Sequence, residues 1–127
     1  MSFTNAHETH LLTYTFTATS VTRPTAWFIG LFTGAPGEAG GGTEISGNAY
    51  ARKTVAFSVS GNEATNSAAV EFAAASGGNW GAVSHLAVFD ASSGGNMIVY
   101  SALSASKTIN DGDAFRIPAG NLDITLD

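Results

Sequence analysis

The sequence Ala-Trp-Phe-Ile-Gly-Leu-Phe (residues 26–32) decides the fold class, because it is apolar at odd and at even positions alike. A strand of a sheet with one wet face alternates apolar and polar side chains, whereas a strand covered on both faces does not. Val-Ser-His-Leu-Ala-Val-Phe (residues 83–89) has the same character. The sequence therefore predicts two strands inside a sheet that is covered on both sides.

Shorter segments elsewhere alternate apolar with polar side chains, which is typical of strands with one buried face. Three of them contain Phe57, Phe72 and Ile124. Gly-Gly-Asn (residues 94–96) predicts a turn that returns the chain into the apolar residues 97–103 as a hairpin. About seven or eight short strands separated by turn residues predict an all-β fold, an antiparallel β-sandwich of which the jelly roll is one form.

The residues ahead of these strands predict an N-terminal arm or short helix. Asn5 can cap a helix, and Glu8 stands three residues later at the capping-box position. Residues 13–19 alternate Thr with apolar residues, a pattern that suits a strand at least as well. We favour a short helix over residues 5–16 that frays into extended chain near Pro24.

Composition and charge exclude several function classes. The 127 residues carry five Lys and Arg against ten Asp and Glu, a net charge of −5, so a nucleic acid would be repelled. The absence of cysteine excludes a disulfide framework and a thiolate zinc site. We expect no secretory signal, no bilayer-spanning segment and no membrane partner. The expected division is an arm at 1–22 and a single β-sandwich domain at 23–127.

The titratable residues do not form a recognisable catalytic or metal motif. His7 and His10 would share one face of a helix, but no third metal ligand stands near them. Glu38 and Glu44 fall within residues 34–48, whose six glycines and Pro36 predict a long unpacked loop with solvated acids. The sequence therefore predicts no enzyme activity, no metal and no cofactor.

The strands that are apolar on both faces need a cover for their second face. The glycine-rich loop, the N-terminal arm or another subunit could supply it, which makes a homo-oligomer an expectation. Interface candidates in the arm and near the loop are Phe3, His7, His10, Leu11, Tyr14, Glu38, Glu44, Tyr50 and Arg52.

Several blocks of the chain are also familiar as sequences. Pro-Thr-Ala-Trp-Phe-Ile-Gly-Leu-Phe-Thr (residues 24–33) is followed by Pro-Gly-Glu (36–38) and Gly-Thr-Glu-Ile-Ser-Gly (42–47). Further blocks are Asn-Trp-Gly-Ala-Val-Ser-His (79–85) and the ending Ala-Gly-Asn-Leu-Asp-Ile-Thr-Leu-Asp (119–127). Together they resemble a family of small bacteriophage structural proteins, often labelled phage tail fibre protein.

This resemblance implies a structural component on the surface of a phage virion, assembled in the host cytoplasm. The short format is similar to that of head decoration or cement proteins, which are commonly trimers. The main expectation is therefore a trimeric cement subunit that binds the major capsid protein or other virion proteins. The alternative is a tail or head fibre module that binds a host-surface receptor or glycan.

Overall fold

The structure is a computed structural model that describes residues 1–126. Antiparallel strands dominate it and one helix stands near the N terminus, so the predicted all-β class is confirmed. The elements in chain order are β1 (Ser2–Phe3), α1 (Asn5–Phe16), β2 (Phe28–Gly34), β3 (Thr43–Glu44), β4 (Lys53–Thr54), β5 (Phe57–Ser60), β6 (Glu63–Asn66), β7 (Val70–Glu71), β8 (Gly81–Phe89), β9 (Met97–Ile109), β10 (Arg116–Ile117) and β11 (Asp123–Thr125).

The largest sheet is built around the two segments that are apolar on both faces. Its strands lie in the order β1-β9-β8-β2-β3, and β4 also pairs with β2. β2 and β8 pair from Phe28 opposite Phe89 to Phe32 opposite His85. β8 and β9 form the predicted hairpin, with Phe89 opposite Met97. The central position of β2 and β8 explains why neither strand has a polar face.

Two small sheets complete the fold, with strand orders β11-β6-β5 and β10-β7. The main hydrophobic core joins buried residues of the large sheet to buried residues on or beside the small ones, which gives the layered arrangement of a sandwich. One large sheet and two small ones replace the two four-stranded sheets of a jelly roll. The core residues with the lowest exposure are Ile29, Leu31, Val83, Val88, Val99 and Ile109.

The other face of the large sheet carries a second, smaller apolar cluster. Phe32, Ala87 and Phe89 form it, and the half-buried Met97 and Tyr100 pack against them. The guanidinium carbon of Arg52 lies 3.5 Å from the centre of the Phe89 ring. Arg52, which lies beyond the glycine-rich loop, therefore covers part of this face, a contact that the sequence did not predict.

The helix predicted over residues 5–16 is confirmed, but its cap differs from the expected one. Thr4, not Asn5, is the capping residue, and its hydroxyl oxygen accepts a hydrogen bond from the His7 N–H at 3.4 Å. The same hydroxyl donates to the Met97 carbonyl at 2.7 Å. Because Thr4 is buried and bound to β9, the large sheet fixes where the helix begins.

The glycine-rich segment is more ordered than the sequence predicted. It contains β3, and the side chain of Ile45 that follows is only 7% exposed. The Ile45 N–H donates to the Leu31 carbonyl at 3.0 Å, and Gly37 and Gly40 bond each other in both directions. The expectation of an unpacked loop over the whole of 34–48 is therefore wrong, because positive φ angles at glycines return the chain to the sheet edge.

The sheet of β5, β6 and β11 extends past the core at one end. Val59 alternates with polar residues in the segment that contains Phe57, and this pattern predicts that it faces the core, yet it is 75% exposed. Its cross-strand partner Ala64 is half-buried, as is Ile124, which pairs with Ala64 from the other side, and Leu126 is 51% exposed. The alternation around Ile124 predicts a strand that reaches residue 127, which lies outside the described residues; β11 itself ends at Thr125.

Candidate functional site

Three of the predicted interface residues meet in one hydrogen-bonded cluster beside the glycine-rich loop. Glu44 lies on β3, and Tyr50 and Arg52 follow it on the chain that leads to β4. Arg52 donates from Nη2 to Glu44 Oε1 at 2.8 Å and from Nε to Glu44 Oε2 at 2.8 Å. The Tyr50 hydroxyl donates to Glu44 Oε2 at 2.7 Å. The ion pair is bidentate, which is the strongest geometry available to arginine and a carboxylate.

Arg52 also connects this cluster to the turn between β8 and β9. Its Nη1 donates to the carbonyls of Ala91 at 3.0 Å and Gly94 at 2.8 Å, while the guanidinium covers Phe89. The Arg52 side chain is 9% exposed and the Glu44 side chain 24%. The expectation that Glu44 is a solvated loop acid is therefore wrong, because a buried guanidinium has bound its carboxylate.

The electrostatics of the cluster fix its charges at neutral pH. Burial raises the pKa of Glu44, but hydrogen bonds from Arg52 and Tyr50 outweigh it and hold this pKa below the ordinary value of 4.5. Burial, together with the hydrogen bond to Glu44, raises the pKa of Tyr50 well above its ordinary value. Both groups keep one protonation state near neutral pH, so their arrangement suits a positioning role rather than proton transfer.

A cleft with a volume of about 570 Å³ lies beside this cluster, and we call it the glycine cleft. Phe32, Phe89, Glu44 and Arg52 form its floor. The start of α1, the loop glycines and the β8–β9 turn form its walls. The lining residues on these walls are Thr4, Asn5, Ala6, Glu38, Ala39, Gly40, Gly41, Gly42, Gly94, Gly95, Asn96 and Met97.

Hydrogen bonds of the backbone and of the Asp90 carboxylate hold the walls of the glycine cleft in place. The Asn5 N–H donates to the Glu38 carbonyl at 2.9 Å, which joins the start of α1 to the loop. On the opposite wall, the Asn96 N–H and side-chain amide donate to the two carboxylate oxygens of Asp90, at 2.7 and 3.0 Å. The exposed side chains of Asn5 and Glu38 make no hydrogen bond within residues 1–126 and stand at the rim. A ligand would therefore meet a preformed cleft with free polar groups at its edge.

The two histidines of α1 form a stacked row with Phe3. The ring centroids of Phe3 and His7 are 5.5 Å apart, and those of His7 and His10 are 5.9 Å apart. His10 Nε2 lies 2.8 Å from the Thr22 carbonyl oxygen, so this nitrogen donates the hydrogen bond. Within residues 1–126 no three His, Asp or Glu side chains converge as a metal site would require. The bond from His10 to Thr22 holds the chain after α1 against the helix.

The pH dependence of stability should report on His7. Burial and the neighbouring His10 lower the pKa of His7 from 6.5, and Asp90 acts in the opposite direction. Because the unfolded chain binds this proton more readily than the folded one, stability falls as pH drops below 6.5 and continues to fall until the folded pKa is passed. His7→Gln should reduce the difference in unfolding midpoint between about pH 7.5 and about pH 5.5.

Proton NMR titration of the His7 ring provides the direct measurement. We expect its pKa below 6.5 in the folded protein. A pKa at or above that value, or the same midpoint difference in wild type and His7→Gln, would contradict the prediction. Loss of the Glu44 charge falls in a separate window below pH 4.5, so it does not disturb the comparison.

The structure separates the predicted interface residues into two groups. Phe3, His7, His10 and Leu11 are half-buried, whereas Tyr14 is 72% exposed. Glu44, Tyr50 and Arg52 form the cluster, and Glu38 stands above it on the rim. The predicted interface residues do not include Thr4, Asn5, Phe89 or the β8–β9 turn, because these join the site only through contacts across the sheet.

A comparison with protein families decides which kind of protein this is. The family described as podophage GP4 fiber I protein gp80 matches residues 2–125, which include both α1 and the β sheets. The chain belongs to this family. Membership in the podophage fibre I family confirms the resemblance to small phage fibre proteins and makes the chain a structural, fibre-type component of a phage virion. A search of curated proteins finds no match to this fibre protein.

The fibre protein offers no helix suited to crossing a bilayer. Its α1 has 12 residues, and no helix within residues 1–126 combines the length and hydropathy that a transmembrane span needs.

Proposed function

We propose that this fibre protein is a host-recognition module that binds a cell-surface glycan in the glycine cleft. The observation that carries the proposal is the cleft itself, whose floor is held by the Arg52–Glu44 ion pair and whose rim carries unbonded polar groups. The fibre family supports this alternative better than it supports the capsid-decoration role.

The chemistry of the cleft suits an uncharged sugar. Its volume of about 570 Å³ is within the range of small-molecule sites, which is roughly 300–1,000 Å³. Glycines at the wall let backbone N–H and C=O groups approach the hydroxyls of a ligand closely. The charges of Glu44 and Arg52 offset each other, so Glu38 supplies the unbalanced charge. A carboxylate accepts hydrogen bonds from sugar hydroxyls and repels an anionic ligand.

Preorganisation supports affinity in such an open site. Ordering a flexible loop on binding costs conformational entropy, which reduces the binding free energy. A loop rich in glycine would have a large cost of this kind. Here the Arg52 contacts hold the floor, and the backbone bond between Asn5 and Glu38 holds one wall before any ligand arrives. The fixed walls favour binding of a ligand that makes only a few hydrogen bonds.

A glycan array with neutral and anionic oligosaccharides tests the proposal. We expect the purified protein to bind neutral oligosaccharides and Glu38→Ala to bind them roughly tenfold more weakly, the effect of losing one hydrogen bond to a charged group. Glu63→Ala removes the same charge from an exposed position on β6, away from the cleft lining, and should bind as the wild type does.

Two results would overturn the glycan-binding proposal. One is a wild-type protein that binds none of the oligosaccharides, and the other is equal binding by Glu38→Ala and Glu63→Ala. Electron microscopy of the intact particle adds an independent measurement. Many copies spread over the head lattice would favour the decoration role instead.

A further inference from the structure

A second cavity adjoins the glycine cleft along the start of α1. It has a volume of about 350 Å³, and we call it the histidine pocket because the two histidines of α1 line it, together with residues 22–25. The two cavities share three lining residues, Ala6, Asn96 and Met97. Ala6 carries only a methyl group and Met97 has a flexible side chain, so no large rigid side chain stands at the shared border. The two cavities are therefore adjoining parts of one groove.

Hydrogen bonds hold the histidine pocket in shape without a ligand. His10 Nε2 donates to the Thr22 carbonyl at 2.8 Å, which fixes residues 22–25 against α1. The Asp90 carboxylate accepts hydrogen bonds from the Asn96 N–H at 2.7 Å and from the Asn96 side-chain amide at 3.0 Å, and these hold the wall that both cavities share. A ligand that extends from the glycine cleft into this pocket therefore needs no additional loop to become ordered.

The histidine pocket contains polar groups that have no partner in the part of the chain that the structure describes. Within residues 1–126, the guanidinium of Arg23 and the ring nitrogens of His7 form no hydrogen bond or ion pair. The faces of the His7 ring stack on Phe3 and His10, so its edge with the two nitrogens is the part that a ligand can bond. Arg23 is exposed and offers several N–H donors. These groups match a ligand with hydroxyls, which both accept and donate hydrogen bonds.

The charges of the histidine pocket favour a neutral ligand. Arg23 is opposed by Asp90, so an anion meets the carboxylate and a cation meets the guanidinium. Burial lowers the pKa of His7, which keeps its ring uncharged at neutral pH. Pro24 and Met97 add apolar surface to the lining. A neutral sugar unit fits this combination, because its ring has hydroxyls at the edge and an apolar C–H face.

We propose that one neutral oligosaccharide chain occupies both cavities, with neighbouring sugar units in the glycine cleft and in the histidine pocket. This inference rests on the proposed function, since it requires that the glycine cleft binds a glycan. Glu38 then bonds the chain at one end of the groove, and Arg23 and His7 bond it at the other. The protein distinguishes a chain of several sugar units from a single sugar, because only a chain contacts both sets of residues.

A length series of neutral oligosaccharides tests the inference. Isothermal titration calorimetry uses chains of glucose, mannose or N-acetylglucosamine from about two to about six units, and the dissociation constant should fall at least roughly tenfold from the shortest to the longest. Arg23→Ala should weaken binding of the longest chain roughly tenfold, the effect of losing one hydrogen bond from a charged group, and leave binding of the disaccharide unchanged. Glu38→Ala should weaken binding of both.

Arg116→Ala is the matched control for the arginine substitution. Arg116 is also exposed, but it lies on β10 and lines neither of the two cavities. This variant should bind every chain as the wild type does. Proton NMR of the His7 ring gives an independent readout, since the ring signals should shift with the longest chain and not with the disaccharide.

The outcomes distinguish this inference from the proposed function. Binding that does not depend on chain length, or equal weakening of both chain lengths by Arg23→Ala, would refute the longer site and leave the glycine cleft as a glycan site. Binding of none of these oligosaccharides would refute the proposed function and this inference together.

Discussion

Arg52→Met is expected to lower the free energy of unfolding by about 3 kcal/mol, the lower end of the range for breaking a buried ion pair. The substitution leaves the Glu44 carboxylate 24% exposed with only the Tyr50 hydroxyl as a donor. It also removes two bonds to the carbonyls of Ala91 and Gly94 and uncovers the ring of Phe89. Urea denaturation followed by tryptophan fluorescence measures the loss.

Arg116→Met is the matched control for this prediction. Arg116 pairs with Glu71 at 2.9 Å, but the two side chains are 57% and 69% exposed. An ion pair in solvent contributes about 0–1 kcal/mol, so the control should be nearly neutral. Equal losses at the two arginines would show that the Arg52 cluster is not a stabilising element.

A double substitution separates two contributions to the loss of unfolding free energy in Arg52→Met, that of the unpaired Glu44 charge and that of the lost packing. Glu44→Gln in the background of Arg52→Met removes the isolated carboxylate and should restore part of the stability. If stability is not restored at all, the destabilisation comes entirely from the lost contacts of Arg52 with Phe89 and with the β8–β9 turn.

Gly42→Ala is expected to destabilise the protein by about 3 kcal/mol, combining a strained backbone with a steric clash. Gly42 has φ of +80°, a conformation that alanine adopts only with strain. A Cβ atom there would lie 2.7 Å from the Pro36 nitrogen and 2.8 Å from the Gly34 oxygen. Both are backbone atoms, so the clash is relieved only if the loop moves away from the sheet edge.

Gly41→Ala is the matched control, because it has the backbone strain without the clash. The difference between the two variants gives the contribution of the clash to the free energy of unfolding. Gly41 has φ of +76°, but its Cβ would meet nothing within 4 Å. This variant carries the same backbone strain and should lose only about 1 kcal/mol in the same urea titration. Equal losses at the two positions would mean that the close approach of Gly42 to the Pro36 backbone has no energetic importance. Gly41 and Gly42 both line the glycine cleft, but only the Cβ at position 42 forces the loop to move, so Gly42→Ala should also weaken glycan binding more than Gly41→Ala does.

The sequence was informative wherever a pattern is local. Residues 26–32 and 83–89 identified the two central strands because a strand covered on both faces needs apolar residues at every position. The helix over 5–16 was predicted from its N-terminal residues, although the cap was assigned to Asn5 instead of Thr4. The error arose because Thr4 is selected by its bond to Met97, a residue far along the chain.

The candidate site was only partly predictable. Glu44, Tyr50 and Arg52 were chosen as interface residues, yet in the structure they bond chiefly to one another. No local signal distinguishes a carboxylate that will be paired from one that will be solvated. The distinction depends on the return of the glycine-rich loop to β2, where the Tyr50 hydroxyl also accepts the Leu31 N–H at 2.9 Å.

The sequence by itself determined the fold class, the acidic surface and the resemblance to phage fibre proteins, because alternation, composition and motifs are properties of neighbouring residues. Only the tertiary structure decided which groups meet at the glycine cleft and which face of α1 remains uncovered. Arg52 reaches Gly94 across 42 positions of the chain, and Thr4 reaches Met97 across 93. Contacts at such separations are set by strand order and register, which depend on how all the strands pack together.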